Sequence, residues 1–225
     1  MQCKKVYYNK YKNLNNKEEA FIYAKKLFDE DNTYENYKNA RNLLNNVAEI
    51  KDFKAETINK LKKKDSYISM EILSYEGDVG ELFNIVSNYK IDEGYYEFKY
   101  LVKSLIYRCF YESKITGNNI CELLEVIEKE NDNGIIDMIP LLMDKENKEV
   151  YLVKVIEILR KMVEFHFQVG TRSSYAKGAY YCSVAKDIYE FLNRKAEFES
   201  YYRNIMLQNK RRPALRDEME RRMNN

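Results

Sequence analysis

Glycine and proline are scarce in this 225-residue chain, seven and two residues where average usage would give roughly 27 together. All-β folds and dinucleotide-binding α/β folds both depend on glycine-rich turns, so the shortage argues against both. Tryptophan is absent, and there is a single histidine. The four cysteines, Cys3, Cys109, Cys121 and Cys182, form no C-x-x-C pair and no disulfide framework. Such scattered thiols predict a reducing, cytoplasmic setting. The opening MQCKKVYYNK lacks the apolar core of a secretory signal. Long hydrophobic runs are missing too. The densest, Tyr151 to Gly170, is broken by Lys154, Glu157, Arg160, Lys161 and Glu164, which a membrane span would not tolerate. A soluble protein without membrane contact is expected.

The residues that carry chemistry are equally sparse. His166 stands in Phe165-His166-Phe167 with Met162 one helical turn upstream, and zinc needs three or four ligands at workable spacing. It reads as a packing residue. Ser173 and Ser174 fall at a helix start, where serine hydroxyls cap backbone N–H groups. Gly77-Asp78-Val79-Gly80 is too short for a phosphate loop and lacks the following lysine. Asp29-Glu30-Asp31 reads as a solvated helix end. The expectation is a chain with no cofactor, no metal and no enzymatic activity.

What remains is apolar content of 45%, enough for a core, and helical periodicity from end to end. Asn16 with Glu19 forms a capping box ahead of Ala20, Phe21, Ala24, Leu27 and Phe28. Thr33 opens a helix with Tyr37, Ala40, Leu44 and Val47 facing inward, and a weaker stretch near 52–63 ends in Lys62-Lys63-Lys64. Further helices carry Ile68, Ile72 and Tyr75, then Val79, Leu82, Phe83 and Val86, then Phe98 to Cys109. Asn119 and Glu122 suggest a second capping box, with Gly134 ending that helix and a segment around Pro140 leading to the next, Tyr151–Phe167. The last part gives helices from about Ser173 to Asn193, from Lys195 to Asn209, and from Pro213, a residue suited to a first helical turn.

This is an all-α chain of about ten helices, expected to stack as antiparallel pairs in a tetratricopeptide-like α-solenoid or a compact helical array. One repeat domain over 1–225 is expected, with sub-parts 1–64, 65–170 and 171–225. Tyr-Leu-Val-Lys occurs at Tyr100–Lys103 and again at Tyr151–Lys154, each time continuing into a long apolar helix.

Charge is nearly balanced, 38 Lys+Arg against 36 Asp+Glu, giving no generic affinity for nucleic acid or acidic membranes. Most arginines nevertheless lie after residue 170. The 21 tyrosines accompany abundant Lys, Asn and Ile, all encoded by AT-rich codons, and largely fill helix-packing positions. Near the C-terminus they alternate with alanines: Arg172-x-x-Tyr175-Ala176, then Ala179-Tyr180, then Tyr201-Tyr202, followed by Lys210-Arg211-Arg212-Pro213-Ala214-Leu215.

This order resembles the C-terminal helical region of bacterial SWIM zinc-finger proteins. Ile72-Leu73-x-x-Glu76-Gly77-Asp78 followed by Leu82-Phe83 is similar to the helix–Gly-Asp–helix turns of the same region, extending the resemblance over roughly 65–225. The family's C-x-C and C-x-H zinc motif has no counterpart here, so the resemblance implies the helical portion without its metal module. Contacts made through the finger do not carry over.

The leading functional expectation is a non-enzymatic interaction module that grips a protein or peptide partner. Tyr and Arg dominate binding hot spots, which makes Arg172, Tyr175, Tyr180, Tyr201 and Tyr202 the candidates. The alternatives are nucleic-acid binding through Arg211, Arg212 and Arg216, and self-assembly as a homodimer.

Overall fold

A computed structural model of the chain describes residues 2–61, 66–111, 117–138 and 145–224. Among the described residues there are thirteen helices and no strand. They are α1 (Gln2–Asn13), α2 (Lys17–Glu30), α3 (Tyr34–Arg41), α4 (Val47–Leu61), α5 (Ser66–Tyr75), α6 (Val79–Ser87) and α7 (Tyr95–Phe110). Then follow α8 (Asn118–Glu130), α9 (Asn133–Ile136), α10 (Lys145–Val169), α11 (Arg172–Phe191), α12 (Lys195–Gln208) and α13 (Pro213–Met223). The all-α array expected from the sequence is what forms. The Lys62–Lys64 run and the Pro140 segment lie outside the described residues.

Local chemistry sets several helix starts. The Asn16, Thr33, Asp78 and Thr171 side chains each accept the backbone N–H three residues on, at 3.2–3.3 Å. Pro213 occupies the first turn of α13. The scarcity of glycine is met largely by asparagine. Left-handed backbone ends α1, α8 and α11 at Asn15 (φ 56°), Asn131 (φ 55°) and Asn193 (φ 59°), with glycine used at Gly77 and Gly170.

Several starts and stops differ from expectation, each for a physical reason. Val47 was expected inward; it begins α4 and is 81% exposed, because the 42–46 link turns the chain before it. Asn119 is not a cap, since α8 starts one residue earlier and Gly117 stands at the cap position. The cap comes from α11 instead. The Asp187 carboxylate accepts the backbone N–H of Asn119 at 2.8 Å and of Ile120 at 3.1 Å, and the Asn119 amide at 2.9 Å. A Cβ at residue 117 would lie 2.6 Å from that carboxylate, so glycine is what lets the cap reach across. Gly134 does not end α8; it sits within α9, where a Cβ would meet the Glu71 backbone at 2.5 Å.

Helix α1 escapes aliphatic periodicity because tyrosine does its packing. Tyr7 and Tyr11 stack on Tyr23 at 5.2 and 5.6 Å, and Tyr8 is buried. Elsewhere buried tyrosines combine core packing with a bonded hydroxyl, as Tyr34 does with Asp137 and Tyr37 with Glu76, both at 3.0 Å. Two helices act as hubs. Helix α5 packs on α3, α4, α6, α7 and α9, while α11 packs on α8, α10, α12 and α13. Helix α7 links the two by touching both α5 and α10. No helix among the described residues is long and apolar enough to cross a membrane.

Candidate functional site

Helices α7, α8, α11 and α13 leave a cleft of about 680 Å³ between them. Its apolar surface comes from Val102 on α7, Leu123 and Val126 on α8, and Ala176 and Ala179 on α11. Alanines on α11 keep the cleft open where larger residues would fill it. Tyr95, Tyr96, Tyr180 and Tyr181 add aromatic faces.

Ion pairs fasten the walls to one another. Glu218 of α13 is almost fully buried and takes both Arg172 Nε, at 2.8 Å, and the Arg221 guanidinium. Arg222 of α13 pairs with Glu122 of α8, donates to Ser183 Oγ of α11 at 3.0 Å, and lies 4.9 Å above the Tyr180 ring. The cap from Asp187 locks the start of α8 onto α11. Lys103, buried in the floor, bridges Glu130 and Asp132, the latter at 2.7 Å.

An aromatic–imidazole chain closes one end. The Tyr95 hydroxyl lies 2.9 Å from both His166 Nε2 and the Tyr181 hydroxyl, and the Tyr181 ring stacks on the imidazole. Burial, with the Lys177 charge, brings His166 down to about 4, so the ring is neutral at physiological pH. Its Nδ1 is buried without a hydrogen-bond partner. Burial, followed by the Lys103 charge, also holds the Lys99 ammonium below the usual lysine value.

The residues singled out from the sequence do not form one groove. Tyr180 lines the cleft, and Arg172 braces it through Glu218. Tyr175 is buried edge-on against Phe167, and Tyr202 stacks on Phe198 at 6.1 Å. Tyr201 lies under the Arg160 guanidinium at 4.6 Å, facing a different hollow beside α10. Three of the five tyrosine and arginine candidates are therefore packing residues. Of the cationic set, Arg212 donates to the Phe167 carbonyl at 3.1 Å, and Arg216 approaches Glu220 of its own helix at 3.5 Å. Arg211 is exposed, and none of these three lines the cleft.

No protein-family model, curated protein or solved structure matches the chain. The site is consequently read from its own geometry. Sequence reasoning missed Tyr95, Tyr96, Lys99 and Lys177, which lie outside the dense C-terminal tyrosine pattern or look like ordinary surface lysines. Lys103 carried no signal either, since it follows Tyr96 and Lys99 on what reads as a solvated helix face and is buried only by the assembled fold. Its counterpart in the second Tyr-Leu-Val-Lys copy, Lys154, is exposed, so the two copies share the apolar register and not the lysine's role. Among the described residues no group of three or more His, Cys, Asp or Glu is placed to hold a metal ion.

Proposed function

We propose that the chain is a non-enzymatic helical interaction module whose α7–α8–α11–α13 cleft holds a segment of a protein partner. The observation that carries this reading is a concave, apolar and aromatic surface whose walls are already braced by Arg172–Glu218 between α11 and α13 and Arg222–Glu122 between α13 and α8. A site fixed before binding loses little conformational freedom when a ligand arrives, which is where affinity is usually lost. The walls come from residues 95 to 222, so the cleft exists only in the folded chain. His166 supports the non-enzymatic reading, because its imidazole is buried and held between two tyrosines. The resemblance of 65–225 to the helical region of SWIM zinc-finger proteins fits the same reading, as a repeat-type scaffold presenting a groove.

The test is to pan a displayed library of random peptides of about ten residues against the wild-type chain and against Ala176→Trp, which fills the cleft from α11. Enrichment is expected on the wild type and not on the variant, with unchanged helical circular dichroism. Equal enrichment on both, or none on the wild type, overturns the reading.

A further inference from the structure

The charges around the cleft are not equivalent once their partners are assigned. Both lining carboxylates are already engaged, Glu122 by Arg222 and Glu218 by Arg172 and Arg221. Lys103 is engaged by Glu130 and Asp132. That leaves Lys99 and Lys177. Lys99 has only a distant contact, 3.9 Å to Glu130, and that carboxylate is held more closely by Lys103. Lys177 is exposed and, among the described residues, has no carboxylate within 4.0 Å. Two ammonium groups thus flank an apolar, tyrosine-walled cleft, Lys177 without a carboxylate partner among the described residues and Lys99 only sharing Glu130 with Lys103. The surrounding chain adds to this sign, since residues 171–225 carry twelve Lys+Arg against seven Asp+Glu.

We propose that the occupant of the cleft is an acidic peptide segment, its carboxylates meeting Lys99 and Lys177 and its apolar side chains lying against Tyr96 and Tyr180. This rests on the reading of the cleft as a peptide site and names the chemistry of the partner. Complementary charge draws in the correct sign and penalises the wrong one. Tyr96 is 75% exposed on the cleft's edge, a large aromatic face with little covering it. A phosphate backbone fits less well. The arginines that usually grip phosphates are held by Glu122 and Glu218. Discrete carboxylates can meet two lysines while apolar side chains occupy the space between.

The experiment uses two displayed libraries of peptides of about ten residues, one carrying three fixed glutamates and the other three fixed glutamines. On the wild-type chain the glutamate library should be recovered about tenfold better at low salt. The advantage should shrink as NaCl rises from about 0.05 to 0.5 M, where screening shortens to a few ångströms. Lys177→Glu, at an exposed position that does not threaten folding, and Lys99→Glu/Lys177→Glu should both remove the preference. Lys99→Arg/Lys177→Arg should keep it. Equal recovery of the two libraries, with Ala176→Trp still abolishing both, overturns the acidic occupant and leaves the peptide site standing. Recovery of neither overturns both. Displacement of the glutamate library by single-stranded oligothymidylate at lower concentration than by free glutamate peptide overturns the proposal in favour of nucleic acid.

Discussion

Among the described residues, two clefts are of nearly equal size and opposite charge. One, about 720 Å³, lies near the N-terminus between α2, the 43–46 link and α4; the other, about 680 Å³, is the α7–α8–α11–α13 site. Phe21, Leu43, Leu44 and Phe53 give the first an apolar floor as well. In the first, Lys25 pairs with Glu56 at 2.7 Å and Lys17 donates to the Asn45 amide oxygen at 3.0 Å, leaving Glu18, Glu49 and Asp52 in excess. In the second the carboxylates are used up and lysines remain. In each cleft the lining charge in excess, carboxylates in the first and cations in the second, keeps its sign after internal pairing. The clefts also differ in construction. The first is lined by residues within one short stretch of chain, 17 to 56, and its paired charges are partly exposed. The second is assembled across 128 positions of sequence, 95 to 222, with a buried carboxylate and a buried lysine in its walls.

The largest effect separating the two regions should come from their helix caps. Asn16 caps α2 locally with one bond to Glu19 N, whereas Asp187 caps α8 from another helix with three. Asp187→Ala leaves buried N–H groups unsatisfied and removes a charge-assisted bond, which should cost about 3 kcal/mol. Asn16→Ala should cost about 1 kcal/mol. Urea unfolding of the two variants checks the difference. If Asp187→Ala costs no more than Asn16→Ala, the cross-helix cap does not hold α8 in place. Cleft binding should fall with Asp187→Ala and be untouched by Asn16→Ala.

Those two caps also mark how far the sequence could be read. Asn16, Thr33 and Pro213 were legible because cap and capped group lie within three residues, and helical apolar spacing marked most helices; Ser173 and Ser174, expected to cap α11, lie inside it, because Thr171 is the cap and takes the Ser174 N–H. Asn119 misled because its partner lies 68 residues away, and no local pattern reports a carboxylate arriving from another helix. Helix α1 was missed because tyrosine stacking, not aliphatic spacing, holds it. The cleft behaved the same way. Tyr180 was found through its neighbouring alanines, which do mark close helix approach. Tyr201 sits in the same kind of pattern yet turns to Arg160 on α10, a choice made by tertiary packing. Lys99 and Lys177 looked like surface lysines because what sets them apart, Glu130 held more closely by Lys103 than by Lys99 and no carboxylate within reach of Lys177, is a property of the assembled fold.

The second comparison concerns acid. The chain's one histidine is in the C-terminal half, where burial lowers its folded-state value from 6.5 to about 4. The unfolded chain takes up that proton first. Stability is therefore unaffected by this group above about pH 6.5 and declines as pH falls from 6.5 toward 4, by about 3 kcal/mol in all. The Tyr95 and Tyr181 hydroxyls and the Lys177 ammonium face the ring, and none of them becomes an acidic partner as pH drops. His166→Gln should remove this part of the profile. Subtracting the variant's unfolding free energy from the wild type's at pH 7 and at pH 4 isolates it from the carboxylates common to both. A difference that does not change with pH would mean the folded ring titrates like an exposed one.

The smallest effect should come from neutralising the N-terminal cleft, and it is the sharpest control on the argument from charge. Glu18→Gln/Glu49→Gln/Asp52→Asn removes the three carboxylates that no cation there engages. None of the three closes an ion pair, so the cost comes from losing Glu18 and Glu49 at the first turns of α2 and α4 and should stay within about 1 kcal/mol. It should not alter recovery of the glutamate library, since the altered groups belong to the other cleft. The net charge becomes more positive by three, so any affinity that reflects overall charge must rise with it. Binding that does rise by severalfold at low salt would mean that acidic peptides respond to the field of the whole chain. Binding that stays level while Lys177→Glu removes it assigns recognition to the two lysines of the α7–α11 wall.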